Sequence, residues 1–338
     1  MINVFVCKEL IPRFYEEYKD DAEMRPVEAF LCCDPPSACE LFEQFNRSVI
    51  VVATTRYNIG RSRASRWHAW NARLTALAAQ PWNVVAANNR YDVEYLRYFT
   101  GVDAQLLPST CDYAARSAVY SPTRPGFLLW MRPRDEPFER YFLSEWEKTA
   151  AAADAILTPV RRVYPVYKFS DLAAHRGIVH VPYQASAMAT LEQYRMNVPL
   201  FFPDRDLVVR WHLERFVLHE RSESPPANPR YVRRPLRGSN VPPHPSQTDR
   251  PDPNDDLDEA AVRYWIEYAD FYTLPHIVHF NSTEHLSALL RSIGDDQLRT
   301  ISRRMRQHNV SNRRRVLQRW KHNLLAVRQY SAANRPHL

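Results

Sequence analysis

Apolar runs and helical patterns alternate along the chain. Among the first 110 residues the apolar runs are 2–7, 27–33, 48–54, 82–87 and 104–107. Between them, the spacing predicts helices over 14–20, 37–45, 65–79 and 92–99. Apolar runs alternating with helices in this way predict a parallel α/β sheet. Pro108-Ser109-Thr110-Cys111-Asp112-Tyr113 breaks the pattern. It then restarts with strands at 126–130, 155–159, 178–182 and 200–202, and helices at 138–153, 170–175 and 186–195. Residues 257–269 predict a helix, 273–280 an apolar run, and 281–323 a largely helical end.

One stretch has a different texture. Residues 221–256 hold nine prolines among Arg, Ser, Asn and Asp, which predicts a long excursion outside any core. The expected domains are therefore 1–112, 113–283 carrying that excursion, and 284–338 as basic C-terminal helices. The start of the chain reads as a strand, too short and too soon charged for a signal peptide. No stretch reaches the roughly 20 apolar residues of a membrane span.

Composition narrows the chemistry. Only six glycines occur in 338 residues, and Gly-x-Gly-x-x-Gly, Gly-Lys-Ser/Thr and Gly-x-Ser-x-Gly are all missing. That argues against dinucleotide-binding dehydrogenases, P-loop enzymes and serine hydrolases. The five cysteines lack zinc spacing, and Cys32 and Cys33 read as core; a bridge such as Cys39 to Cys111 cannot be deduced. A net charge of +7 suits acidic ligands generally, nucleotide diphosphates included. Asn46, Asn281 and Asn309 begin Asn-x-Ser/Thr sequons.

Residues 177–203 form the most informative segment, a βαβ unit with a Pro182-Tyr183-Gln184 turn between strand and helix. The helix start aims the backbone N–H groups of Ser186, Ala187 and Met188 at one point, which favours an anion such as phosphate. Glu192 lies six residues into the predicted helix, within reach of a sugar hydroxyl beside that phosphate. The plainer reading is a buried βαβ unit whose Glu192 pairs locally.

This unit resembles the late C-terminal domain of GT-B-fold glycosyltransferases, exostosin-like or related nucleotide-sugar-dependent families. Gln184-x7-Glu192 followed by Asn197-Val198-Pro199 is similar to their Glu-x7-Glu pair and following strand. The segment 88–109, with a helix ending at Gly101, is similar to the exit from their N-terminal domain. The resemblance spans about residues 27–210. It implies two Rossmann-like doubly wound parallel-sheet domains. It also implies transfer of a sugar from a UDP- or GDP-sugar to the hydroxyl of a glycan or glycoconjugate, with no cofactor and no metal.

The same resemblance assigns roles. Glu192 would hold the ribose, and Ser186, Ala187 and Met188 the phosphate. Arg132, with Arg134 nearby, would neutralise the leaving diphosphate, and Lys168 is a second cation there. Tyr183 and Gln184 would touch the donor, and Gln184 in place of the family's first glutamate favours inversion. The strand ends of the first series would face the acceptor. Asp34 is the first candidate for general base and Glu9 the second, with Arg56, Tyr57, Asn89 and Arg90 on the acceptor side. Ser170 reads as the cap of the 171–175 helix and Asp92 as the cap of 93–99.

Rival readings remain. Asp204-Arg205-Asp206 has the spacing of a metal-bound nucleotide-sugar site, but it follows the βαβ unit near the end of the sheet. Ten Lys/Arg between 299 and 328 suggest a nucleic-acid or anionic-membrane face. Ile301, Met305, Val316, Trp320 and Leu324 instead suggest an amphipathic helix with a solvated basic side, which argues against nucleic acid. The runner-up function is a noncatalytic nucleotide- or carbohydrate-binding protein. The compartment would be cytoplasmic, or the Golgi lumen if an anchor is missing.

Overall fold

The computed structural model of the protein describes residues 6, 9–61, 63–131, 136–150, 154, 156–219 and 235–334. The elements in chain order begin with α1 (Leu10–Tyr18), β1 (Ala29–Cys32), a 3-10 helix (Pro36–Phe45), β2 (Ser48–Ala53) and α2 (Ala64–Ala78). Next come β3 (Val84–Ala87), α3 (Arg90–Thr100), β4 (Gln105–Leu106), α4 (Asp112–Ser117), β5 (Phe127–Trp130) and α5 (Glu136–Glu147). They continue with β6 (Leu157–Pro159), α6 (Val160–Val163), α7 (Phe169–Ala173), β7 (Ile178–His180), α8 (Met188–Arg195), β8 (Leu200–Pro203) and α9 (Arg205–Arg215). The last are α10 (Glu259–Ile266), α11 (Asp270–Thr273), β9 (Val278–Phe280), α12 (Thr283–Ser292) and α13 (Asp295–Asn334). The α/β alternation read from the sequence is present. The predicted run 2–7 lies outside the described residues except for Val6.

Two compact units divide the chain. The first comprises Met1–Pro108, Arg221–Asp255 and Arg315–Leu338; the second comprises Ser109–Glu220 and Asp256–Arg314. Each holds one wholly parallel sheet.

In the first unit the strands follow chain order, β1-β2-β3-β4. Right-handed crossovers stepping in one direction put their helices on one face and leave the other open. The C-terminal part of α13 covers it: Val327 and Trp320 pack with Ile50, Val52, Val84, Ala86 and Leu107. Asn323 reinforces the seam by donating to Gln105 Oε1 at 3.0 Å, and Arg319 donates to the Leu106 carbonyl at 2.6 Å. Burial on both faces explains why all six residues of β2 are inaccessible.

The Pro-rich excursion differs from its sequence reading. Residues 220–234 lie outside the described residues, but 235–255 pack on α3 of the first unit. Asn254 is 3% exposed and donates to Tyr95 Oη at 3.0 Å. Arg250 reaches Glu94 at 2.9 Å, and His244 N–H donates to the Tyr98 carbonyl at 2.8 Å. Proline lowers the entropy lost on ordering such a segment, and side-chain hydrogen bonds replace a regular ladder. Gly101 ends α3 at φ 71°, and a Cβ there would lie 2.6 Å from the His244 ring, so only glycine fits.

In the second unit the sheet order is β6-β5-β7-β8-β9. Its inner strands are nearly inaccessible: Phe127, Leu128, Ile178, Leu200 and Phe201 are 0% exposed. The rings of Phe138 and Phe142 on α5 meet Trp211 of α9 at 5.2 and 6.0 Å. The first half of α13 is tied in by Asn309, which donates to the Tyr194 carbonyl at 2.9 Å and to Asn197 Oδ1 at 2.8 Å. Asn309 is 7% exposed, so its sequon is closed to glycosylation in the folded chain, whereas Asn46 and Asn281 are exposed. The four described cysteines are free thiols, so Cys39 and Cys111 form no bridge. No helix among the described residues is long and apolar enough to cross a membrane.

The seam on the first unit is directly testable. Val327→Asp places an unpaired charge against the sheet and should cost about 3 kcal/mol or more in urea unfolding. Leu325→Asp, at a position 48% exposed, should stay within about 0.5 kcal/mol. Equal losses in both variants would show that the buried face of the helix is assigned wrongly.

Candidate functional site

The order of the second sheet reverses at β5, which pairs with β6 on one side and β7 on the other. Counted within the unit this is order 2-1-3-4-5, and ligands of such sheets bind at the carboxyl ends of the strands flanking the reversal. Those ends carry Trp130 on β5 and the segment 181–186 after β7.

An aromatic row forms the floor beneath them. Strand register places Trp130 beside His180, and Phe202 beside His180 in turn. The rings stack, with centroids 6.1 Å apart for Trp130 and His180 and 4.4 Å for His180 and Phe202. Phe271 of α11 extends the row at 4.8 Å from Phe202. His180 is 2% exposed, and its Nε2 meets Gln193 Oε1 at 2.6 Å. Burial disfavours the imidazolium and pulls its pKa down to about 3, against a smaller opposing effect of Gln193.

Above this floor two partly exposed tyrosines flank Glu192. Tyr113 on α4 is 49% exposed and donates to Glu192 Oε1 at 2.6 Å. Burial, and then that hydrogen bond, raise the Tyr113 pKa, so the phenol stays a donor. Tyr167 is 38% exposed and stands edge-on to Trp130 at 5.5 Å. Its pKa is raised by burial and by the charge of Glu192, while Arg161 opposes the rise. Behind Tyr113, the Cys111 thiol is pushed up to about 11 by burial and by Glu192, so it is no thiolate nucleophile. Phe169 meets Tyr113 at 6.1 Å, and Lys168, exposed, stands at the start of α7. A partly buried carboxylate held by one phenol, and close enough to a second to raise its pKa, can accept hydroxyl hydrogen bonds while a planar group stacks on an exposed ring.

Several sequence expectations meet a different setting. Ser186 Oγ donates to Asp270 Oδ2 at 2.5 Å, and Asp270 N–H donates to the Ala185 carbonyl at 2.8 Å. Asp270 is 6% exposed, so a buried carboxylate occupies the helix start where a phosphate was expected at Ser186, Ala187 and Met188. Ala187 caps α8 without a side-chain bond, and Met188 is 46% exposed. The Tyr183 carbonyl accepts from His219 N–H at 2.6 Å, and Gln184 Nε2 donates to the His219 carbonyl at 3.3 Å. Gln184 thus ties the turn to residue 219. Arg132 and Arg134 lie outside the described residues. The α7 cap position is Lys168, whose backbone N–H donates to Asp171 Oδ2 at 2.8 Å; Ser170 sits inside the helix. Asp204 caps α9 by accepting from Leu207 N–H at 2.9 Å, and Asp206 pairs with Arg263, so each carboxylate of that motif has a structural partner.

On the first unit, Asp34 is exposed at the carboxyl end of β1, and Glu9, also exposed, is the cap position of α1. Arg90 is exposed at the start of α3. The other three residues expected on the acceptor side are internal. Arg56 is 6% exposed, ion-paired with Asp92 at 3.2 Å, and its guanidinium lies 4.2 Å from the Tyr91 ring centre. Tyr57 is 0% exposed; its hydroxyl donates to Asn71 Oδ1 at 2.7 Å and accepts from Trp67 Nε1 at 2.8 Å. Asn89, 2% exposed, is the true cap of α3, accepting from Asp92 N–H at 2.8 Å. Asp92 is the buried partner of Arg56 instead of the cap, and burial raises its pKa despite the arginine. Folding engages these side chains inside the unit.

Tyr113, Tyr167, Trp130 and Asp270 have no signal in their own sequence neighbourhoods. Compared with protein-family models, curated proteins and solved structures, the chain has no significant match.

The buried histidine carries a pH signature. The unfolded ring binds its proton near the ordinary value of about 6.5, whereas the folded ring stays neutral down to about 3. The stability is therefore fully present above 6.5 and is lost as pH falls toward 3, by about 2 kcal/mol at pH 5. Urea unfolding of the parent and of His180→Phe, each at pH 7 and pH 5, checks this. The variant should lose less on acidification, whatever its absolute stability, and equal losses would refute a neutral buried ring.

Proposed function

We propose that the second unit binds the nucleotide of a nucleotide-diphosphate sugar, and that the protein is a GT-B-type glycosyltransferase acting on a hydroxyl acceptor. The observation that carries this reading is the Glu192 carboxylate held by Tyr113 beside Tyr167, at the strand-order reversal of a parallel sheet. In this reading Glu192 accepts hydrogen bonds from the ribose, and an exposed tyrosine ring supports the base. Lys168 and Arg161 offer charge to the diphosphate, and Arg132 and Arg134 follow β5 in sequence. Cations in that role supply the charge stabilisation that a metal supplies elsewhere, so transfer is proposed to be metal-independent; Gln184 in place of a glutamate is the ground for proposing inversion. Asp34, exposed at a strand end, is the proposed base, with Glu9 second.

A noncatalytic nucleotide- or carbohydrate-binding protein is the second reading. The pairing of Ser186 with Asp270 and the burial of Arg56, Tyr57 and Asn89 favour it, because they remove groups that a transferase reading would use.

Calorimetric titration with UDP- and GDP-sugars, and donor hydrolysis with and without EDTA, decide between the two. Glu192→Ala should weaken donor binding at least about tenfold, or about 1.4 kcal/mol. Unchanged affinity would remove the ribose contact. Asp34→Asn should lower turnover and leave donor affinity unchanged; tight binding with no hydrolysis or transfer in the parent would favour the binding protein.

A further inference from the structure

The long C-terminal helix exposes a face that its buried seam does not explain. Met305, Val316 and Val327 lie on the buried side. Leu324, expected there from sequence, is 52% exposed. It lines up instead with Leu317 and Val310 at intervals of seven residues, 44% and 55% exposed. Such spacing keeps residues on one side of a helix. Arg306, Arg314, Lys321 and Arg328 each fall three or four residues from one of these aliphatics and are all exposed, so they share that side. Residues 297–338 contain eleven Lys/Arg and no Asp or Glu. A solvated helix face usually mixes signs and omits a line of aliphatics.

We propose that this face of α13 docks on an anionic lipid surface. Arginine and lysine would meet headgroup phosphates and carboxylates, and Val310, Leu317 and Leu324 would enter the boundary between headgroups and acyl chains. Charge complementarity selects an anionic occupant. The aliphatic line selects a bilayer over a nucleic acid, whose phosphates gain nothing from leucine. A second copy of the same face is opposed by repulsion between like charges. The inference does not depend on the nucleotide-sugar reading.

Co-sedimentation of the full chain with phosphatidylcholine vesicles, with and without about 30% phosphatidylserine, tests it. Binding should require phosphatidylserine and weaken as salt rises. Lys321→Glu with Arg328→Glu should cost at least about tenfold in vesicle binding. Leu317→Asn with Leu324→Asn should also cost about tenfold, although it leaves the charge unchanged. All four positions are exposed, and far-UV circular dichroism and urea unfolding should match the parent. No binding to the anionic vesicles, or binding that survives the leucine changes, would overturn the proposal. Binding to a short DNA duplex at equal or greater affinity, indifferent to the leucines, would assign the face to nucleic acid instead.

Discussion

A parallel sheet has two faces to bury, and the order of its strands decides how they are covered. In the first unit the strands run in chain order, so the connecting segments leave one face open. The C-terminal part of α13 fills it through Val327 and Trp320. In the second unit the order reverses at β5, which makes a crevice at the strand ends possible. The same handedness rule therefore leaves a face of one sheet for a distant helix to cover and allows a crevice at the strand ends of the other. Much of what distinguishes the two units follows from where the chain turns back.

Buried charge and polarity are handled by pairing within the fold. Arg56 meets Asp92 under two tyrosine rings, and Ser186 meets Asp270 at the start of α8. Asp112 receives both Arg195 and Arg313, at 2.9 and 2.7 Å. Removing such groups from water is costly unless each finds a partner, so a residue engaged in this way is withdrawn from ligand chemistry. Glu192 differs because its partner, Tyr113, is itself half exposed, and the carboxylate keeps capacity for further hydrogen bonds.

The aromatic row from Trp130 through His180 and Phe202 to Phe271 joins stability to the candidate site. It packs His180 between Trp130 and Phe202, where burial disfavours the charged ring. Tyr167 rests against its outer end, so the exposed part of the site is supported by a buried part whose packing leaves little freedom.

The strands and helices were largely legible because their period reflects local burial: β2 and the βαβ unit around β7, α8 and β8 stand close to where the pattern places them. Glu192 was legible as a polar residue on that helix. Its partner Tyr113 was not, because 79 residues separate them and only packing of α4 against α8 joins them. Asp270, 84 residues from Ser186, turned an expected phosphate cradle into an internal pair. Residues 235–255 read as outside any core, yet Asn254 and Arg250 dock them on α3. By itself the sequence determined the periodicities, the scarcity of glycine phosphate loops and the one-signed charge of residues 297–338. Tertiary structure decided strand order, which faces were covered and which polar residues were spent on one another, because those depend on contacts between segments distant in the chain.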